Sequence, residues 1–389
     1  MDGEIDRGYF VAAELSRQEC ESQRKHGRLG APRRGLDEEH FQLLFLRASG
    51  SIRTLFDYND FMFWCLVPLL ALNPEPAPAA SRMPQLDSLA KDMASLGFIP
   101  EAGGMIVLAA SRGWPGRIGS VTQAEGPPDR VDALSSPDDR LWGYCDGSGG
   151  GVGLLVEAPM PAILPSGLPL ATLPGARFRF ELSGAAVDTV LSAAPSGIVS
   201  GCARDSAGGY SLETADTGVY WIEAMSDTGS GPEVLLLLPV LCGVTPAEAI
   251  SGQAGGVPRS GASTLDDVLD ELNSLRRESG LPPLSREPDL DSIALARAES
   301  VAMSGAVRHS VNLALLLGAP GGLFAENIGS GSGLDEAWSM ILTSPAHRSA
   351  CLGEVYDGVG LASCIGIERN GWQYILIHVF TGSGSDAAD

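Results

Sequence analysis

Residues 321–360 read GGLFAENIGSGSGLDEAWSMILTSPAHRSACLGEVYDGVG. Two polar motifs, AENIGSG and SPAHR, stand close together here among small and apolar residues, and they contain the ionisable residues Glu326 and His347. A third motif just upstream, AVRHS, contributes His309. Two imidazoles and one carboxylate this close in the chain can form one functional site if the fold brings them together.

The sequence around these motifs predicts helices on both sides of an antiparallel sheet. A first helix follows an N-cap at Thr264 or Ser263 and ends at Gly280. A second opens at Asp289 and ends at Gly305, and a third runs from about Leu334 to the SPAHR turn. Two strands follow, VYDGVGLASC and WQYILIHVF. The second is apolar on both faces, as in a central strand covered on both sides. These elements predict an α-β-α layered domain.

The order of these motifs resembles the bacterial branch of the CAP superfamily (cysteine-rich secretory proteins, antigen 5 and pathogenesis-related proteins), whose domains are also called SCP-like. The matching order is LNSLRRESGLPPL, a histidine six residues after Met303, AENI, SPAHR and VYDGVGLA. It covers about residues 265–382, near a third of the chain. One such motif alone is weak, but five in order at compatible spacing are specific.

The resemblance implies a site as well as a fold. The family places a histidine and the glutamate of its ENI motif in a central cleft, often with a second glutamate and a second histidine. By motif, His309 and Glu326 take the first two places, and the match of His347 to the second histidine is open. Glu336 is the nearest acidic candidate for the second glutamate, but it precedes Trp338, whereas the family glutamate follows a tryptophan.

Three interpretations of His309, Glu326 and His347 follow from their chemistry. Two imidazoles and a carboxylate are a familiar ligand set for Zn²⁺ with an open fourth position, and Zn²⁺ is the one cofactor that these residues suggest. The same groups could act as a general acid and base, with Glu326 raising the basicity of one imidazole. Alternatively, they are structural. His378 lies inside an apolar strand and is predicted to be a core or edge histidine with its hydrogen bonds satisfied.

Residues 161–247 predict an immunoglobulin-like β-sandwich, because short β-prone runs recur there between Gly, Pro and Asp turns with no helical period. The string DTGVY at 216–220 leads into the alternating strand YWIEAM and resembles a tyrosine corner. No cluster of histidine, cysteine or carboxylate side chains indicates chemistry in this domain. We therefore expect it to be a spacer or an adhesion module, separated from the last domain by a Gly/Pro/Ser-rich linker.

The N-terminal segment differs from the rest of the chain. The apolar run FMFWCLVPLLAL at 61–72 is too short to span a bilayer as a helix but matches the central region of a secretory signal, and small residues at 77–80 could hold a cleavage site. Asp57 and Asp60 stand where a signal carries positive charge, so a buried hydrophobic helix is the alternative. We expect export, to the medium or to the cell envelope.

Charge and cysteine content narrow the function further. The chain of 389 residues has a net charge of −22, and residues 61–389 carry 17 basic against 37 acidic side chains. This excess of negative charge repels the phosphate backbone of nucleic acids, which disfavours nucleic-acid binding. None of the seven cysteines forms a CxxC pair, so a zinc ribbon is not indicated. In an exported chain Cys202 could pair with Cys242 and Cys351 with Cys364, although buried thiols are equally compatible.

Together these features predict a multi-domain α+β protein. The predicted parts are a leader or disordered extension (1–80), a small α/β region (81–160), the immunoglobulin-like sandwich (161–247), a linker (248–262) and the CAP domain (263–383). The expected function is extracellular or envelope binding of a lipid, a peptide or an envelope polymer in the His/Glu cleft, and peripheral membrane association is compatible with it. The alternative is a metal-assisted hydrolase or peptidase that uses His309, Glu326 and His347, and a purely structural envelope protein is a third reading.

Overall fold

The computed structural model describes residues 81–116, 118–124, 140–147, 152–227, 232–304, 323–368 and 371–382, together with residues 307, 309, 313 and 317. The predictions for residues 1–80 lie outside this part of the chain. Within it, no helix is both long enough and apolar enough to cross a bilayer. The described residues belong to one compact unit built from four sheets with helices packed on them.

The first sheet has the strand order β1-β3-β4-β2 and carries two helices. Its elements are β1 (Ser81–Arg82), α1 (Pro84–Leu96), α2 (Ala102–Ser111), β2 (Ser120–Ala124), β3 (Arg140–Cys145) and β4 (Gly153–Pro159). Helix α1 buries Leu86, Leu89 and Met93 against the sheet, at the spacing that predicts a helix in the sequence. It ends at Gly97, whose φ of 73° is the left-handed conformation that favours glycine.

Two further sheets pack face to face as a β-sandwich. Their strands are β5 (Ile163–Ser166), β6 (Ala171–Thr172), β7 (Ala176–Gly184), β8 (Thr189–Ala193), β9 (Val199–Gly201), β10 (Tyr210–Thr214), β11 (Gly218–Asp227) and β12 (Pro232–Cys242). The orders are β10-β7-β5 and β6-β12-β11-β8-β9, with β6 parallel to β12. Phe180 from one sheet and Ile222 and Leu238 from the other share a core. The hydroxyl of Tyr220 accepts a hydrogen bond from the backbone N–H of Asp216 at 2.9 Å, the contact expected of a tyrosine corner.

Strand β11 is buried on both faces, although its sequence predicts one buried and one solvated face. Ile222 points into the sandwich core, whereas Val219 and Trp221 pack on the outer side with residues of α2 and of the segment after β12. That segment includes a short helix, α3 (Pro246–Ile250), and the indole N–H of Trp221 donates to the carbonyl of Gly256 at 2.6 Å. Much of the predicted linker is therefore packed against the sandwich, and it is not a free tether.

The C-terminal region forms three layers around one sheet. Its elements are α4 (Leu265–Glu278), β13 (Ser285–Arg286), α5 (Pro288–Ser304), β14 (Leu323–Gly331), α6 (Leu334–Thr343), α7 (Pro345–Cys351), β15 (Gly358–Glu368) and β16 (Gly371–Gly382). The strand order is β13-β15-β16-β14. Helices α4, α6 and α7 contribute to a core on one face, and α5 lies on the other face against β15 and β16. A Cβ at Gly360 of β15 would overlap the backbone of Leu290 in α5, so this close approach requires glycine there.

The predictions for the N-terminal ends of α4 and α7 can be compared with the structure. Thr264 caps α4 as predicted, and its hydroxyl accepts from the N–H of Asp267 while the Asp267 carboxylate accepts from the N–H of Thr264. The SPAHR motif, predicted as a turn, is instead the start of helix α7. Ser344 is its N-cap and Pro345 its first residue, a position where the missing proline N–H costs nothing.

The predicted disulfides are not formed. Cys202, Cys242, Cys351 and Cys364 are all free thiols. Cys351 belongs to the core on the α4 and α6 side of the sheet. On β15 the residues Val359 and Leu361 face that same core, so by strand alternation Cys364 points to the opposite side. The pairing of Cys351 with Cys364 was wrong because the sheet separates the two side chains.

A buried arginine joins α4 to the loop before β15. Arg276 is fully buried and donates to four backbone carbonyls, those of Pro282 (2.8 Å), Cys351 (2.9 Å), Gly353 (3.0 Å) and Tyr356 (3.1 Å). The first carbonyl lies in the loop after α4 and the other three lie at the end of α7 and in the loop before β15, so one guanidinium fixes both segments.

Replacing Arg276 is expected to destabilise the C-terminal domain strongly. In Arg276→Met the apolar stem is retained but the four carbonyls lose their donors, and unsatisfied buried polar groups cost about 1–3 kcal/mol each. We expect the free energy of unfolding, measured by urea denaturation, to fall by more than about 3 kcal/mol. The neighbouring Arg277 is exposed, and Arg277→Met should change it by less than about 0.5 kcal/mol. Equal effects of the two variants would contradict this assignment.

Candidate functional site

The structure brings the three predicted site residues together from three separate segments. Glu326 lies on β14, His347 on α7, and His309 on the chain between α5 and β14. Nδ1 of His309 is 3.1 Å from Oε2 of Glu326, and the ring centroids of His309 and His347 are 5.9 Å apart at an angle of 65°. The side chain of His309 is 21% exposed and that of Glu326 only 3%, and His347 is also partly exposed, so solvent reaches the group on the side of the two imidazoles.

A fourth residue of the site, Arg297 on α5, was missed in the sequence. Its Nε donates to Oε1 of Glu326 at 2.6 Å and its Nη2 donates to Oε2 at 3.4 Å. The signal was present, because Arg297 follows Leu290 and Ala294 at helical spacing, on the face that α5 buries. An arginine on a buried helix face indicates a partner carboxylate, since buried charges are almost always paired.

Glu326 is an ionised carboxylate held by His309 and Arg297. Burial alone would raise its pKa, but the hydrogen bonds from His309 and Arg297, together with the charge of Arg297, lower the pKa below its usual value. An ionised carboxylate can only accept, so the His309 nitrogen that faces it, Nδ1, carries a proton. The other nitrogen of His309, Nε2, is then the one that can interact with a ligand.

This geometry does not suit the predicted zinc site. Both oxygens of Glu326 already accept hydrogen bonds from Arg297 or His309, and a metal would have to displace part of a buried ion pair. Among the described residues, no group of three or more His, Cys, Asp or Glu side chains is arranged to hold a metal ion. Glu336, the candidate for a second glutamate, instead accepts from the N–H of Ser332 at 2.7 Å and from its hydroxyl at 2.6 Å.

His347 stays neutral in the fold. The residue is partly exposed, but loss of hydration around its ring lowers the pKa to about 3, with a further contribution from His309, while Glu326 acts in the opposite direction. Its backbone is fixed by the neighbour of Glu326, since Nδ2 of the buried Asn327 donates to the carbonyl of His347 at 2.9 Å. The ENI motif therefore has two roles: Glu326 binds the imidazole of His309, and Asn327 holds the helix that carries His347.

The N-terminal turn of α7 is bound from the sandwich as well. Glu223 on β11 accepts from the hydroxyl of Ser344 at 2.7 Å and from the N–H of Ala346 at 2.7 Å. Its side chain is fully buried, and burial raises its pKa to about 7 against the opposing effect of the two hydrogen bonds. Sequence reasoning missed this residue because a carboxylate in an alternating strand is typical of a solvated face. A cavity of about 300 Å³ lies elsewhere, beside Phe98, Arg259 and Met340, and includes none of the three predicted site residues.

His378 is buried next to this site without its hydrogen bonds. It is fully buried, and neither Nδ1 nor Nε2 has a hydrogen-bond partner in the described part of the chain. Its ring instead packs against Trp338 at 5.2 Å and Phe380 at 5.8 Å between centroids. The prediction of a core position was right and that of satisfied hydrogen bonds was wrong. Burial lowers the pKa of His378 to about 3, and His347 adds to the effect.

Comparisons with known proteins come from structure alone, since no model of a known protein family matches the chain and no curated protein matches it. An outer surface protein of Borrelia burgdorferi is 19% identical, with 30% of this chain and 91% of that chain covered and a TM-score of 0.27. An extracellular SCP-domain protein of Bacillus anthracis is 16% identical (47% and 66% covered, TM-score 0.25). A cysteine-rich secretory protein of Staphylococcus aureus is 18% identical (53% and 80% covered, TM-score 0.25). SCP proteins are thus among the similar structures, at scores too low to carry an argument.

Acid is expected to weaken the fold through His378. In the unfolded chain this imidazole titrates near its usual pKa of 6.5, whereas in the fold its pKa is about 3. Between these values the unfolded state binds more protons, so the free energy of unfolding should decrease as the pH falls from about 6.5 towards 3. His378→Phe removes the titrating group and should reduce that loss by up to about 4 kcal/mol, as measured by urea unfolding at several pH values.

Measurements at pH 7.5 are the control for the wild type and His378→Phe, because His378 is neutral in the folded and the unfolded wild type at that pH. We expect their stabilities at that pH to differ by less than about 1.5 kcal/mol, the usual cost of a hydrophobic exchange of similar volume. Parallel pH profiles of the wild type and His378→Phe would refute the assignment.

Proposed function

We propose that this chain is an exported bacterial protein whose C-terminal domain is a CAP domain that binds an extracellular ligand in the cleft of His309, Glu326 and His347. The convergence of these three residues, predicted from motif order and contributed by three segments, is the observation that carries the proposal. The α-β-α layering of residues 265–382 supports it further.

The preceding sandwich belongs to the proposal as an immunoglobulin-like domain. Two features support that assignment: β6 adds in parallel beside β12, and the Tyr220 hydroxyl binds the backbone at the entrance of β11. Such a domain next to a CAP domain fits an extracellular or envelope protein. The hydrogen bonds from its residue Glu223 to the start of α7 give the sandwich more than a spacer role.

The chemistry of the cleft favours a ligand with hydroxyl or amide groups. His309 presents Nε2 once Nδ1 is bound to Glu326, and His347 is a neutral imidazole beside it. Neutral imidazole nitrogens accept from O–H and N–H groups and donate to carbonyl oxygens. A peptide or an envelope polymer offers such groups in quantity, whereas a lipid offers them only at its headgroup. We therefore place peptides and envelope polymers ahead of lipids.

The metal-assisted hydrolase is the weaker alternative. It requires Glu326 to ligate Zn²⁺ together with His309 and His347, but Glu326 is already committed to Arg297 and His309. Breaking a buried ion pair leaves a guanidinium without its partner, which costs several kcal/mol. The same contacts favour binding, because they hold His309 in one orientation without a metal.

The proposal predicts that His309 is needed for envelope binding. Full-length wild type and His309→Ala would be tested for cosedimentation with purified bacterial peptidoglycan sacculi, and separately with phosphatidylglycerol/phosphatidylethanolamine vesicles. We expect the wild type to bind sacculi and His309→Ala to bind at least about tenfold more weakly, the loss expected for one or two hydrogen bonds.

The matched control is Glu213→Gln, which alters an exposed carboxylate on the sandwich that pairs with Arg177. It should bind sacculi as the wild type does. Binding to vesicles alone would redirect the proposal to a lipid headgroup. Equal binding of sacculi by the wild type and His309→Ala would show that the cleft is not the binding site.

A further inference from the structure

Glu223 of the sandwich uses its carboxylate to bind the C-terminal domain and not its own domain. It lies on the outer side of β11, opposite the sandwich core that contains Ile222 and Ala224. Both of its oxygens are used on the C-terminal domain, one by the Ser344 hydroxyl and the other by the Ala346 N–H. The contact therefore joins the two domains at the first turn of α7.

Helix α7 is held from two sides, and His347 lies where the two sets of contacts meet. From the C-terminal sheet, Asn327 on β14 donates to the carbonyl of His347 at 2.9 Å and to Sγ of Cys351 at 3.3 Å. From the sandwich, Glu223 binds the residues just before His347. The turn between β8 and β9 also packs closely against α7, since a Cβ at Gly197 would collide with the guanidinium of Arg348. The position of the His347 ring thus depends on both domains.

The energetics of Glu223 favour a positioning role over a stabilising one. Burial raises its pKa to about 7 despite two hydrogen bonds. The free-energy cost of desolvating the charged form is therefore larger than the stabilisation of that form by the two bonds. A well-packed apolar side chain at such a position is often as stabilising as a buried charged one. What an apolar side chain cannot do is bind the hydroxyl of Ser344 and the N–H of Ala346 and so fix the register of α7 against β11.

We propose that Glu223 is a positioning residue for the imidazole pair: by binding Ser344 and Ala346 it fixes the first turn of α7 and thereby places the His347 ring beside His309. The sandwich then builds one wall of the cleft, and the cleft is complete only when both domains are docked. This inference rests on the proposed function in one respect, that the His309–His347 cleft is the functional site.

The test follows the imidazoles directly by NMR of the full-length protein with ¹⁵N-labelled histidine, titrated with acid. In the wild type His347 should stay neutral down to low pH, in line with a pKa of about 3. In Glu223→Ala the first turn of α7 loses both contacts, and we expect the pKa of His347 to rise by at least about one unit as the ring becomes better hydrated. The His309 resonances should shift with it, because the two rings are neighbours. Glu223→Gln keeps the shape and one acceptor, so it should give a smaller rise.

Glu213→Gln on β10 is the matched control and should titrate as the wild type. If Glu223→Ala does not fold, Glu223→Gln decides the question, and an altered titration of His347 in it supports the proposal. A lower melting temperature with unchanged titration of His347 would mean that Glu223 is merely structural and would overturn it. Because no ligand is used, this result stands whether or not His309→Ala affects sacculus binding, so the two proposals can fail separately.

Discussion

Helix α7 has seven residues, and a helix this short is not stable by itself in water. It exists because its groups are bound from outside: Ser344 and Ala346 by Glu223, and the His347 carbonyl by Asn327. The rest of the candidate site depends on this arrangement, since α7 presents His347 towards His309. The constraint therefore comes from both the sandwich and the C-terminal sheet, and neither alone supplies all the contacts that hold the helix.

Two buried glutamates in this protein show how surroundings decide the state of the same side chain. Glu326 meets a guanidinium and an imidazole, and its pKa is lowered although it is buried. Glu223 meets only a hydroxyl and an amide, and its pKa is raised to about 7. The first is therefore a fixed negative charge that orients His309. The second is close to its titration point at neutral pH and acts through hydrogen-bond geometry more than through charge.

The three described histidines of the C-terminal region differ in their exposure to solvent. His309 is partly exposed and bound to Glu326, His347 on α7 is also partly exposed, and His378 is fully buried without hydrogen bonds between Trp338 and Phe380. A ligand can therefore reach His309 and His347, the two neighbouring imidazoles, but not His378.

The sequence by itself determined the features that arise from neighbouring residues. Capping and apolar spacing predicted α4, because hydrogen bonds at a helix end and the burial of one face are properties of a few consecutive turns. The motif order also pointed to His309, Glu326 and His347. The structure then added what no local pattern contains: Arg297 as the partner of Glu326, Glu223 at the start of α7, and the sheet between Cys351 and Cys364. These depend on which side of a strand or helix meets another segment far away in the chain. The burial of a charge is decided there, because its cost depends on the partner that tertiary packing supplies.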